Sequence, residues 1–150
     1  MNTQKFKKIL GYRGYIFSRD INGNFIPQRV QNLVIKDFAA RNDLFFKLSS
    51  TEYIMKDTYL MMFALLKELN SIDGVIFYSL EMLPRIKKDR NKFFSAFLEK
   101  KKKIYFALEE LKVFKKADLL KIENFLSLKY SSMSHHTIKT NKSFFNKKFI

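Results

Sequence analysis

Short apolar runs alternate along the chain with longer stretches in which apolar residues recur every three or four positions. Runs of the first kind predict strands at about residues 14–18, 44–48, 75–78 and 104–107. Stretches of the second kind predict helices at about residues 27–41, 58–69, 90–101 and 117–130. Strands that alternate with helices over short connections predict a mainly parallel sheet of four or slightly more strands, with helices on both faces.

The predicted domain covers residues 11–130. The chain has 150 residues, of which 47% are hydrophobic and 16% aromatic, so it can bury a single core and is too apolar to be disordered. Polar and basic residues dominate from Ser131 onwards. We therefore expect residues 131–150 to form a mobile basic tail.

Several classes of site are disfavoured by what the sequence lacks. Cysteine is absent and the two histidines, His135 and His136, lie in the polar tail, so no metal site is expected. The chain contains neither a GxGxxG sequence nor a P-loop, and no cofactor is expected. The longest apolar run, Tyr59 to Leu66, is shorter than the roughly 18 residues of a membrane span, and we expect a cytoplasmic protein.

The net charge of +15 points to nucleic acid or another anionic surface as a partner. Lysine carries nearly all of this charge, however, and arginine, which pairs best with phosphate, is scarce. Abundant Lys, Phe, Ile and Asn together are typical of an AT-rich coding sequence. We therefore favour solvated lysines over a binding patch, and leave nucleic acid as an open alternative.

Polar residues follow each of the four predicted strands. In a parallel sheet the carboxyl ends of the strands lie along one edge, where α/β proteins bind their ligands. We therefore expect a ligand site at this edge, formed by Ser18-Arg19, Ser49 to Glu52, Ser79 to Glu81 and Glu109-Glu110.

Ligand-binding roles can be assigned by residue type. Guanidinium groups pair bidentately with phosphate or carboxylate, so Arg13 and Arg19 are the predicted anion ligands. Amides at the start of the first helix are predicted to bind hydroxyl groups, and these are Gln28, Gln31 and Asn32.

The catalytic candidates are one hydroxyl and two carboxylates. Ser18 is a candidate nucleophile, although no histidine is available to activate it, and a serine that bonds the following turn is an equal alternative. Glu52 and Glu81 are candidates for general acid–base catalysis. The alternative is that these carboxylates are solvated loop residues. Tyr78 and Ser79, which precede Glu81, are predicted to contact the ligand, whereas a buried core tyrosine is the commoner role for Tyr78.

Several segments resemble the sporadic carbohydrate cluster protein family, whose members are encoded among bacterial surface-polysaccharide genes. The similarity covers about residues 11–128 and rests on residues 11–19, 27–35, 50–53 and 78–84. It implies a role in surface-polysaccharide biosynthesis and does not imply a mechanism.

The chain also resembles, more distantly, the catalytic domain of serine recombinases. Ser18 after a tyrosine-containing strand and Gln31 on the first helix are similar to that family's nucleophile and helix glutamine. The segment from Glu81 to Arg85 is similar to its Asp-Arg-Leu-x-Arg motif, with Met82 at the position of an essential arginine. Phe17 stands close to the position of another active-site arginine, so the resemblance implies a resolvase-like fold and argues against strand exchange.

These observations predict a protein of surface-polysaccharide biosynthesis that binds or modifies an anionic sugar or nucleotide sugar. One alternative is a resolvase-like DNA-binding protein, and another is a non-enzymatic partner of a glycosyltransferase. Homo-oligomerisation is left open, as is the question of whether the protein is an enzyme.

Overall fold

Five strands form one sheet in the order β2-β1-β3-β4-β5 in the computed structural model, which describes the backbone of residues 7–146 and the side chains of residues 7–132. The strands are β1 (Tyr12–Phe17), β2 (Phe46–Glu52), β3 (Gly74–Phe77), β4 (Lys103–Phe106) and β5 (Leu111–Val113). The α-helices are α1 (Gln28–Arg41), α2 (Leu60–Ala64), α3 (Lys87–Glu99) and α4 (Asp118–Asn146). A 3₁₀ helix, Leu65–Ser71, continues α2.

The first four strands are parallel and β5 runs antiparallel to β4, so the sheet is mixed. The chain adds β2 on one side of β1 and β3 on the other. This reversal makes the carboxyl ends of β1 and β3 the topological switch point of the sheet, where open α/β folds leave a crevice.

Aromatic side chains fill the core on both faces of the sheet. On one face, Tyr105 of β4 lies against Tyr12 of β1 and Phe38 of α1, with ring centroids 5.7 and 5.4 Å away. On the other face, Phe77 of β3 packs edge-on against Phe93 of α3 at 5.7 Å. β3 is buried along its whole length, as a central parallel strand covered on both sides must be.

Two helices, α1 and α3, each end at the amino edge of the sheet in the same type of hydrogen-bonded turn. The Lys101 and Lys102 N–H groups donate to the carbonyls of Leu98 and Phe97, and this Schellman pattern leads from α3 into β4. Lys101 has a φ of 56° there, in the left-handed region that glycine prefers. The end of α1 repeats the pattern, with Asp43 in the left-handed position at a φ of 53°.

Glycine allows two strands to approach their neighbours closely. A Cβ on Gly74 would lie 2.0 Å from the Lys103 carbonyl oxygen, and one on Gly14 would lie 2.2 Å from Ser49 Oγ.

The sequence prediction located the main elements and was wrong about several boundaries. The second strand begins at Phe46, later than predicted, and extends through Ser49 to Glu52 beyond its predicted end at residue 48. The second helix is α-helical only to Ala64 and then narrows to a 3₁₀ helix. β5 was missed because its three residues include a lysine and follow a pair of glutamates.

The chain divides into two compact units between Lys115 and Lys116. The sheet and the first three helices lie in the first unit, and α4 is the helix of the second. α4 continues past Ser131 to Asn146, where the sequence predicted a basic tail, and residues 147–150 of that predicted tail lie outside the described part. Among the described helices, none has the combination of length and apolar character needed to cross a bilayer.

Replacing Lys101 with glycine is expected to stabilise the protein. Glycine adopts a φ of 56° without the Cβ clash that lysine suffers, so the free energy of unfolding should rise by about 1 kcal/mol in urea denaturation. Lys101→Ala removes the same charge and keeps the Cβ, so it should give no such gain. Equal effects of the two substitutions would contradict the assignment of strain to this position.

Candidate functional site

Four loops lie along the carboxyl edge of the sheet, because each follows one of the parallel strands β1 to β4. They comprise residues 18–27, 53–59, 78–86 and 107–110. Most of the side chains predicted to bind a ligand or act in catalysis lie in or beside these loops. Their contacts show whether they form an open site.

Arg19 connects the loop after β1 to the loop after β2. Its guanidinium donates to the carbonyls of Tyr53 and Met55 at 2.8 and 2.9 Å. The same group lies 4.2 Å above the ring of Phe17 and 5.2 Å from that of Tyr59. Arg19 thus holds the loop after β2 in place, and two of its N–H groups are hydrogen-bonded to backbone carbonyls.

A second link joins the loops after β1 and β3. The Asn22 amide donates to Glu81 Oε2 at 3.0 Å, across the switch point. Asn22 adopts a left-handed φ of 48°, which asparagine tolerates better than most residues. Glu81 is half-buried, and its carboxylate helps to position this turn.

A third link joins the loops after β3 and β4. The buried Ser79 hydroxyl donates to Glu109 Oε1 at 2.6 Å, and the Leu80 N–H donates to the other oxygen at 3.0 Å. Ser79 Oγ also accepts from the Glu81 N–H at 3.2 Å. Burial, with the negative charge of Glu109 second, raises the pKa of neighbouring Tyr78, so this phenol stays protonated at neutral pH.

Glu52, the last residue of β2, has a buried carboxylate with several donors. It accepts from the Tyr15 hydroxyl at 2.9 Å and from the backbone N–H groups of Tyr53, Met61 and Met62 at 3.0 to 3.1 Å. Burial, together with the Glu52 charge, raises the pKa of Tyr15 far above its usual range and keeps it a donor. Glu52 therefore joins β1, β2 and the start of α2.

Ser18 and Gln31 are also engaged by backbone. Ser18 Oγ donates to the Glu52 carbonyl at 2.7 Å. The Gln31 amide is fully buried; it accepts from the Phe17 N–H and donates to the carbonyls of Phe17 and Ile26, all within 2.9 Å. Gln31 thus pairs with the end of β1 as a neighbouring strand would.

Arg13 does not reach the carboxyl edge, because it is the second residue of β1. Its guanidinium donates to Glu68 Oε2 and to the Leu48 carbonyl, each at 2.8 Å. Arg13, Arg19 and Glu81 therefore do not converge on one hollow, contrary to the arrangement expected from the sequence. A role of these residues in ligand binding remains a prediction.

Gln28 and Asn32 line a groove between α1 and β2. The groove has a volume of about 480 Å³ and is bordered by Lys36 and Lys47. Asn32 Oδ1 accepts from the hydroxyl of Ser49, which also lines the groove. The groove lies beside β2 at the border of the sheet, away from the links between the four loops.

The charges of the carboxyl edge do not favour an anion. The four loops contain three basic residues, Arg19, Lys56 and Arg85, and five acidic ones, Asp20, Asp57, Glu81, Glu109 and Glu110. Within the described residues there is also no group of three or more His, Asp or Glu side chains that could hold a metal ion.

Comparison with known proteins identifies the fold. No protein-family model matches the sequence, and no curated protein matches it. The N-terminal catalytic domain of TP901-1 integrase is similar in structure, with a TM-score of 0.59 and 16% identity over 81% of this chain and 97% of that domain. The chain has a resolvase-like fold.

A resolvase family site-specific recombinase from Streptococcus pneumoniae gives a similar result, with a TM-score of 0.57 and 12% identity over 85% of this chain and 94% of that one. At these identities the likeness concerns the fold. The comparisons support the resolvase-like architecture predicted from the sequence and give no support to the carbohydrate cluster family or to polysaccharide biosynthesis.

The two apolar residues that the sequence resemblance places at arginine positions of the recombinases are buried in this fold. Phe17 and Met82 are 4% and 0% exposed, and as uncharged side chains they offer no cation at the switch point. Sequence reasoning did not predict that Asn22 would bond Glu81. The sequence signal for its left-handed turn is the Asn-Gly pair that follows Ile21.

Replacing Glu52 with glutamine should destabilise the fold. The donors around Glu52 bond two carboxylate oxygens, whereas the glutamine amide has only one acceptor oxygen. The free energy of unfolding, measured by urea denaturation, should therefore fall by about 2–3 kcal/mol. Asp37→Asn is the matched control, because Asp37 is exposed and its ion pair with Arg41 lies at the surface, where the loss should be below about 0.5 kcal/mol. Similar losses in both variants would contradict the structural role of Glu52.

Proposed function

We propose that this chain is a resolvase-like protein that binds nucleic acid without cutting it. The fold supports this proposal, since the catalytic domain of TP901-1 integrase and a resolvase family site-specific recombinase are among the structures similar to it. The charge of +15 supplies the sequence-independent attraction that dominates the affinity of proteins for a phosphate backbone.

The state of Ser18 is the observation that argues against cleavage. A serine attacks phosphate only when a base or a lowered pKa activates it, and Ser18 Oγ instead donates to the Glu52 carbonyl. The developing charge on a phosphate in transfer needs cationic groups around it, whereas the resemblance places Phe17 and Met82 at arginine positions. The carboxyl edge around Ser18 therefore keeps the resolvase-like architecture without its charge-stabilising groups.

Binding and cleavage can be tested separately. Fluorescence anisotropy with labelled DNA should show an affinity that falls tenfold or more between about 50 and 200 mM salt, as expected for several phosphate contacts. Gel analysis should show neither cut DNA nor a covalent protein–DNA adduct. Absence of binding at low salt would contradict the first part of the proposal; an adduct that Ser18→Ala abolishes would contradict the second.

A second candidate function is the binding of an anionic sugar or nucleotide sugar, and the groove between α1 and β2 favours it. The amides of Gln28 and Asn32 and the hydroxyls of Ser49 and Thr51 could bind sugar hydroxyls. Lys36 and Lys47, at the same groove, could bind a phosphate or carboxylate. Hydroxyl-binding groups beside two ammonium groups suit that class of ligand.

Calorimetric titration with uridine-diphosphate sugars tests this second function. We expect saturable binding that weakens about tenfold in Lys47→Gln, because one of the two groove ammonium groups is lost. Lys67→Gln removes an exposed lysine outside the groove and should leave the affinity unchanged. Absence of binding, or equal weakening by both variants, would reject the groove as a sugar site.

A further inference from the structure

The amino edge of the sheet, opposite the edge that carries Ser18, is more basic than the carboxyl edge. The described segments at this edge are residues 7–11, 42–45, 72–73, 100–103 and 114–115. They contain seven basic and two acidic residues, whereas the four carboxyl-edge loops contain three basic and five acidic residues. A polyanion that approaches the sheet is therefore attracted to its amino edge.

The end of α3 places four consecutive lysines at this edge. Lys100 to Lys103 follow the last turn of α3, and the Schellman turn at Lys101 directs the chain into β4. Asp73, one of the two acidic residues nearby, accepts from the N–H groups of Leu10 and Gly11 at 3.1 and 2.9 Å. Its carboxylate is thus engaged by the backbone that leads into β1.

A half-exposed aromatic ring lies beside the last of these lysines. Val113 of β5 pairs with Ile104 of β4, so the next residue, Phe114, lies opposite Lys103. The ammonium groups of Lys103 and Lys112 are 4.9 and 5.2 Å from the centre of the Phe114 ring. Tyr105 contacts the same ring edge-on at 5.4 Å and holds its orientation. We call Phe114 with Lys103, Lys112 and Lys115 the Phe114 patch.

We propose that the Phe114 patch is a binding site for single-stranded nucleic acid, an inference that rests on the proposed function and specifies its surface and its ligand. Proteins that bind single strands combine basic side chains along the backbone with aromatic rings on which bases stack. Phe114 is 39% exposed, so it is one of the large apolar side chains that the fold leaves at the surface. A base that stacks there displaces one ammonium from the ring, and the displaced lysine remains within reach of the adjacent phosphate.

The composition of the patch favours a single strand over a duplex. A duplex hides the faces of its bases, so the Phe114 ring would have nothing to stack on. Arginine, whose forked donors suit the reading of base edges in a duplex groove, is absent from the described amino-edge segments, where lysine is the basic residue. A single strand uses both the ring and the ammonium groups.

The experiment compares two triple variants that lose the same charge. One replaces Lys103, Lys112 and Lys115 with glutamine, and the other replaces Lys56, Lys67 and Lys88, which are exposed and lie outside the patch. Anisotropy of a labelled 20-nucleotide single strand, and of the duplex of the same sequence, is measured over a range of salt. We expect the patch variant to lose affinity for the single strand about tenfold or more and to show a shallower salt dependence, and the control variant to lose less than threefold.

A second pair of variants tests the ring. Phe114→Leu should weaken single-strand binding about fivefold or more and leave duplex binding almost unchanged, whereas Phe114→Tyr keeps the stacking face and should retain the affinity. Thermal unfolding curves show whether each variant is folded. Equal losses in the two triple variants, or tighter binding of duplex than of single strand, would overturn the patch while the proposed function survives. Absence of binding by the wild-type protein would overturn both.

Discussion

The buried carboxylate of Glu52 is the interaction on which the carboxyl edge depends. A charged group at 1% exposure is stable only when its oxygens accept strong hydrogen bonds, and here a tyrosine hydroxyl and three backbone N–H groups provide them. Because these donors come from β1, the loop after β2 and the start of α2, one side chain determines how those segments meet. The links made by Arg19, Asn22 and Ser79 extend this order from loop to loop across the edge.

This satisfied network has a functional consequence. A polar side chain that already bonds the backbone must lose that bond before it can act on a substrate, and the loss is costly where the partner is buried. Ser18, Gln31 and Glu52 all have such partners. The resolvase-like architecture therefore places its polar residues at the usual edge of the sheet and uses them there to connect loops.

The two edges of the sheet differ in charge for a topological reason. Four parallel strands place every loop that follows a strand on one side and every segment that precedes a strand on the other. The glutamates after β3 and β4 thus gather at the carboxyl edge, and the lysines before β4 gather at the amino edge. The two edges are therefore surfaces of different character, and the more basic one is distant in the fold from Ser18.

Apolar periodicity and turn residues alone predicted the alternation of strands and helices and the mainly parallel sheet. They also predicted that Ser18, Glu52 and Ser79 lie near one edge. These features follow from the local sequence pattern and from the handedness of strand–helix–strand connections. The partners of those residues depended on the tertiary structure. Whether Arg19 points into a pocket or bonds the Tyr53 carbonyl is decided by contacts 34 residues apart, which no local pattern encodes. The same holds for Phe114, which becomes part of a basic surface only when an unpredicted antiparallel strand brings it beside Lys103.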